Sequence, residues 1–108
     1  MGTTFACNMS AMSPEQRARH KVIVSELLGA VLDTRELSDG YAARFAADPS
    51  LVMLVAEFIA LEHLCCPFFT LGLKAEPDRG PLWLKITGPE GIKPFIRAEF
   101  GFGSSQGR

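Results

Sequence analysis

Apolar residues recur along this chain with two alternating periods, and the alternation predicts the elements. Val24, Leu27, Leu28 and Val31 return at helical spacing, with Arg17, Arg19, Lys21 and Glu26 elsewhere on the same stretch. Ser13-Pro14-Glu15-Gln16 supplies the start signal: Ser13 caps, Pro14 suits the first helical position and Gln16 completes a capping box. A first helix is therefore expected from about Pro14 to Val31.

A hairpin is expected next. Asp39-Gly40 is a strong hairpin signal, because a type I′ turn needs positive φ at both central positions, and it would join Thr34–Leu37 to Tyr41–Ala46. Asp48-Pro49 opens a second helix running to about Cys65. Its apolar residues, Leu51 to Leu64, cover more than one face, so it should lie deep in the fold or in a subunit interface. Pro67 disfavours α geometry at Cys66 and ends it. Phe69, Leu71 and Leu73 then alternate, Pro77-Asp78-Arg79-Gly80 turns, and Leu82, Leu84 and Ile86 alternate back. Gly88-Pro89-Glu90 starts a last helix with a stripe of Ile92, Phe95, Ile96 and Phe100.

The order is α-ββα-ββα, an α+β class with a four-stranded antiparallel sheet and helices packed on one face. Residues 1–12 read as an extended N-terminal arm, 13–100 as a single domain and the Gly/Ser-rich 101–108 as a flexible tail. Two successive hairpin–helix units, with Ala56-Glu57-Phe58 echoed by Ala98-Glu99-Phe100, hint at an internal duplication.

Composition fits one globular domain: 108 residues, 47% apolar and 21% charged. A net charge of −1 gives no electrostatic footprint for nucleic acid or an anionic membrane, and neither is an expected partner. Residues 1–7 lack the basic and apolar regions of a secretory signal. Three cysteines, an odd number, do not suggest a secreted disulfide framework, so a cytoplasmic protein with free thiols is expected.

Chemistry concentrates at Glu62-His63-Leu64-Cys65-Cys66-Pro67. Glu62, Cys65 and Cys66, at i, i+3 and i+4, share a helix face, with His63 about 100° round. Thiolate, carboxylate and imidazole are ligands for zinc and softer ions. Neighbouring side chains diverge by about 100° on a helix and 180° on a strand, so two adjacent sulfurs meet one ion only where the backbone changes direction. Pro67 forces such a change, at a helix C-terminus whose partial negative charge favours a cation. Cys7 would add a third thiolate if the arm crossed the domain, suiting zinc or a trigonal thiophilic ion such as arsenite or mercuric ion.

Bland readings stand beside these. Cys65 and Cys66 serve equally as small apolar residues finishing a buried helix. Glu62 and His63 read as ordinary surface positions, and Cys7 as a terminal residue touching nothing. Trp83, opposite in parity to Leu82, Leu84 and Ile86, should point away from the core and would mark a dimer face. Gly88-Pro89-Glu90-Gly91 carries neither the P-loop nor the dinucleotide pattern, and the serine nucleophile elbow, H-E-x-x-H and CxxC are all absent.

The segment Glu62-x-x-Cys65-Cys66-Pro67-Phe68, with Cys7 before the first helix and Gly40-Tyr41 after the first hairpin turn, resembles a group of small uncharacterised bacterial proteins. That resemblance covers most of the chain, implies no established activity, and adds weight to Cys7. A similar cysteine-rich character occurs at the metal-sensing ends of mercury-responsive regulators, but this chain shows no basic recognition helix.

Three functions compete. The favoured one is a metal or metalloid ion binding protein of zinc, mercury or arsenite class, with Cys65, Cys66, Cys7 and Glu62 as ligands. The second is a thiol redox protein using a Cys65–Cys66 vicinal disulfide, or a thiolate with His63 or His20 nearby. The third is a non-catalytic homodimeric module built on the helix from Pro49 to Cys65.

Overall fold

The capping box forms as the sequence predicts. In the computed structural model, which describes residues 5–102, the Gln16 N–H donates to Ser13 Oγ at 3.1 Å and the Ser13 N–H donates to Gln16 Oε1 at 2.8 Å. Helix α1 (Pro14–Ala30) follows, then strands β1 (Asp33–Leu37) and β2 (Gly40–Phe45), helix α2 (Pro49–Cys65), strands β3 (Thr70–Ala75) and β4 (Leu82–Thr87), and helix α3 (Ile92–Phe100). This is the expected α-ββ-α-ββ-α order. The expected arm residues 1–4 and tail residues 103–108 lie outside the described residues.

The strands form one antiparallel sheet in the order β1-β2-β4-β3. The two hairpins thus meet through their second strands. Tyr41, Ala43 and Phe45 pair with Ile86, Leu84 and Leu82, and all six are buried. By strand alternation they share one face, and Val55 and Phe58 of α2 and Ile92 and Ile96 of α3 join the same core.

Several expectations are corrected. Asp39-Gly40 does not form a type I′ turn: the hairpin turns at Ser38-Asp39, Gly40 already pairs with Leu37, and none of the three has positive φ. Gly40 is needed for a different reason, since a Cβ there would collide with the Ile86 carbonyl and lie 2.8 Å from Thr87 Cα on the adjoining central strand. Positive φ falls instead at Asp78 (60°) and Arg79 (59°), where the Gly80 N–H donates to the Pro77 carbonyl at 3.0 Å. α3 starts at Ile92, after Gly91 at φ 90°, rather than at Gly88-Pro89-Glu90.

Helix α2 is not buried all round. Val55, Phe58, Leu61, Glu62 and Cys65 face inward, while Met53 and Leu64 are exposed. Trp83 lies on the far side of the sheet, as its parity requires, yet it is only 9% exposed, and the Arg35 guanidinium sits 4.6 Å from its ring centroid. Phe102, assigned to the tail by composition, is buried against Phe100 with ring centroids 5.6 Å apart. Among the described residues no helix is long and apolar enough to cross a membrane.

Candidate thiol site

Pro67 ends α2 where expected. The Cys66 N–H makes the last helical bond, to the Glu62 carbonyl at 2.8 Å, and Cys66 itself adopts φ −128°, ψ 71°. The change of backbone direction turns the Cys65 and Cys66 sulfurs to within 3.6 Å of each other. Two sulfurs on one tetrahedral ion, at bonds of ~2.3 Å, stand ~3.8 Å apart. Both cysteines are buried, yet their sulfurs converge.

The N-terminal arm returns to this point. The Asn8 N–H donates to the Cys65 carbonyl at 2.7 Å, and the Phe5 ring lies 5.1 Å from Phe68 and 6.1 Å from Phe95. Further along, Met12 is buried and its carbonyl accepts from Arg17 Nη1 at 2.7 Å. These contacts bring Cys7 to Cys66, and the two form a disulfide with Cα atoms 4.7 Å apart.

That bond corrects two expectations. The three thiols are not all free: Cys65 alone remains a thiol. The disulfide is also not vicinal. Consecutive Cα atoms stand ~3.8 Å apart, below the ~4.4–6.8 Å that a disulfide normally spans, so Cys66 pairs with the distant Cys7 rather than its neighbour.

Glu62 is not the ordinary surface residue its type suggests. It is 2% exposed, and its Oε1 lies 2.6 Å from His20 Nε2 of α1. The His20 ring stacks on Phe58, with centroids 6.3 Å apart and planes 18° from parallel. One residue earlier on α1, Arg19 makes two 2.8 Å bonds to Glu57 of α2. Arg19-His20 against Glu57 and Glu62 is thus a two-step polar register between the helices. The sequence holds these residues openly, but nothing in it says that α1 lies along α2. His63 is exposed and outside the cluster.

One ligand atom from each of Cys7, Glu62, Cys65 and Cys66 can be enclosed within 4.8 Å of the others. Burial, and then the nearby Glu62 charge, push the Cys65 thiol up to about 11, so it stays protonated at neutral pH. Its Sγ lies 3.6 Å from the Glu62 carbonyl, a weak acceptor contact. As it stands, two of the three sulfurs are tied to each other. Reduced, the cluster would offer three thiols and a carboxylate.

No family model, curated protein or solved structure matches the chain. The functional reading therefore rests on the chemistry of this cluster.

Proposed function

We propose that the chain is a small thiol-based ion-binding protein whose reduced form holds a thiophilic metal or metalloid ion of the zinc, mercury or arsenite class. Cys7, Cys65 and Cys66 supply sulfur, and Glu62 is the candidate oxygen ligand. The observation that carries the reading is the gathering of these four groups within 4.8 Å of one another, from both ends of a long chain segment. Soft sulfur ligands select such ions.

Two contacts support pre-organisation of the trio without the disulfide: the Asn8–Cys65 backbone hydrogen bond and the Phe5–Phe68 ring contact. Opening the disulfide takes two electrons and two protons. A low-molecular-weight thiol reductant supplies them and is itself oxidised to a disulfide. A reducing compartment such as the cytoplasm would keep the site in its binding form.

The test is titration of reduced, oxygen-protected protein with zinc, mercuric ion and arsenite, followed by elemental analysis. One ion per chain, lost in the Cys65→Ser/Cys66→Ser double variant, is the expected result. Reduced protein that takes up none of the three disproves the reading.

A second reading, a dithiol–disulfide couple between Cys7 and Cys66, is favoured by the disulfide itself. It ranks lower because the remaining thiol, Cys65, is held protonated by burial and so is a poor attacking group.

A further inference from the structure

Resting on the reading above, we infer that the reduced site is selective for a trivalent metalloid in its oxyacid form, of which arsenous acid is the simplest, over divalent ions.

The argument is one of charge in a sealed place. Cys65 and Cys66 are 1% and 0% exposed and Glu62 is 2% exposed, so any complex formed on them is cut off from water on most sides. A buried uncompensated charge is strongly disfavoured even after relaxation. Three thiolates around a dication leave one net negative charge beside the buried Glu62 carboxylate. Three thiolates around a trivalent centre leave none.

Coordination number points the same way. A divalent ion such as zinc closes a structural site with four ligands. The fourth group in the cluster is Glu62, one of whose two oxygens already bonds His20 Nε2 at 2.6 Å, so a fourth ligand would have to come from the other oxygen of a carboxylate shared with that contact. A trigonal centre bonded to three sulfurs needs no fourth ligand and leaves the Glu62–His20 contact intact. Linear two-sulfur coordination fits the vicinal pair badly: at bonds of ~2.3 Å it sets the sulfurs ~4.6 Å apart, whereas those of Cys65 and Cys66 are 3.6 Å apart.

The reaction balances without redox change at the metalloid. Each of three thiols gives its proton to one hydroxide of the oxyacid, which leaves as water. Three metalloid–oxygen bonds break and three metalloid–sulfur bonds form. The only redox step is the prior opening of Cys7–Cys66 by the thiol reductant named above.

The experiment is a competition on the reduced full-length chain, with equimolar arsenite and zinc and, separately, equimolar arsenite and mercuric ion, read by native mass spectrometry and by counting alkylatable thiols. The expected species carries one arsenic in place of three hydrogens, has all three thiols protected, and excludes zinc. Cys7→Ser, a change on the half-buried arm that leaves the core sequence intact, should weaken arsenite binding by more than the roughly 10–100-fold that outer-shell changes cost. Zinc or mercuric ion retained in preference to arsenite would overturn the selectivity while leaving the ion-binding reading in place. Arsenite held as tightly by Cys7→Ser as by the parent would also overturn it. Failure of all three ions to bind would remove both.

Discussion

The Glu62 carboxylate meets the His20 imidazole at 2.6 Å across the seam between α1 and α2, although the two residues are 42 positions apart. Glu62 is otherwise enclosed, and no buried side-chain polar atom among the described residues lacks a partner. This contact therefore lets a carboxylate sit beside the thiol cluster at all.

Removing the imidazole should be costly. Breaking a buried pair from one side costs roughly 3–5 kcal/mol, and the 14% exposure of the His20 side chain lets some water reach the orphaned group. His20→Ala is expected to lose about 2–4 kcal/mol in urea unfolding. His20→Gln, which can still donate to the carboxylate, should recover much of that. A His20→Ala variant as stable as the parent would mean the contact has no structural role.

The Cys65 thiol gives a prediction in pH. Burial and the Glu62 charge raise its pKa from 9.0 to about 11 in the fold. The folded state therefore holds this proton more tightly than the unfolded one, and stability falls as pH rises between those values. Its contribution is fully present below pH 9 and is lost as pH climbs through about 11. Native-state alkylation of Cys65 should follow the same course, staying slow at neutral pH and accelerating towards pH 11. Rapid alkylation at pH 7, without unfolding, would show that the thiol is neither buried nor raised.

Gly40 carries a prediction about strand packing. A Cβ at this position collides with the Ile86 carbonyl and sits 2.8 Å from Thr87 Cα, and neither is the flexible end of a side chain. Gly40→Ala must push β2 away from β4 at the centre of the sheet, with an expected loss of about 3 kcal/mol. Gly72, on edge strand β3, has nothing within 4 Å of the equivalent position. Gly72→Ala is therefore the control, expected to lie within about 0.5 kcal/mol of the parent. Equal thermal shifts in the two variants would contradict the close approach.

The elements were legible because local signals agreed with the tertiary outcome. Ser13-Pro14-Glu15-Gln16 caps α1 through its own side chains, and Pro67 stops α2 whatever packs around it. Asp39-Gly40 misled because the glycine answers a contact from β4, which is far away in sequence and invisible to turn rules. The candidate site was legible in the same uneven way. Convergence of Cys65 and Cys66 follows from one backbone break, whereas the arrival of Cys7 and the capture of Glu62 by His20 depend on how the arm and α1 dock. Periodicity says which residues of α1 face inward. It does not say which residue of α2 each one meets.

The disulfide supplies the last prediction. Cys7 and Cys66 are 59 positions apart, and closing a loop of that length removes chain entropy from the unfolded state worth about 4 kcal/mol. Reduction should lower the stability of the wild type by up to that amount, and Cys7→Ser should show the lower value with or without reductant. The arm should nevertheless stay docked in the reduced protein, because the Asn8 N–H still has the Cys65 carbonyl at 2.7 Å and Phe5 still has Phe68. Hydrogen exchange at the Asn8 amide separates the possibilities. Protection that survives reduction means the thiols remain gathered and ready for an ion. Protection lost on reduction means the disulfide alone holds the arm, and an ion would have to gather the third sulfur against the entropy of a free terminus.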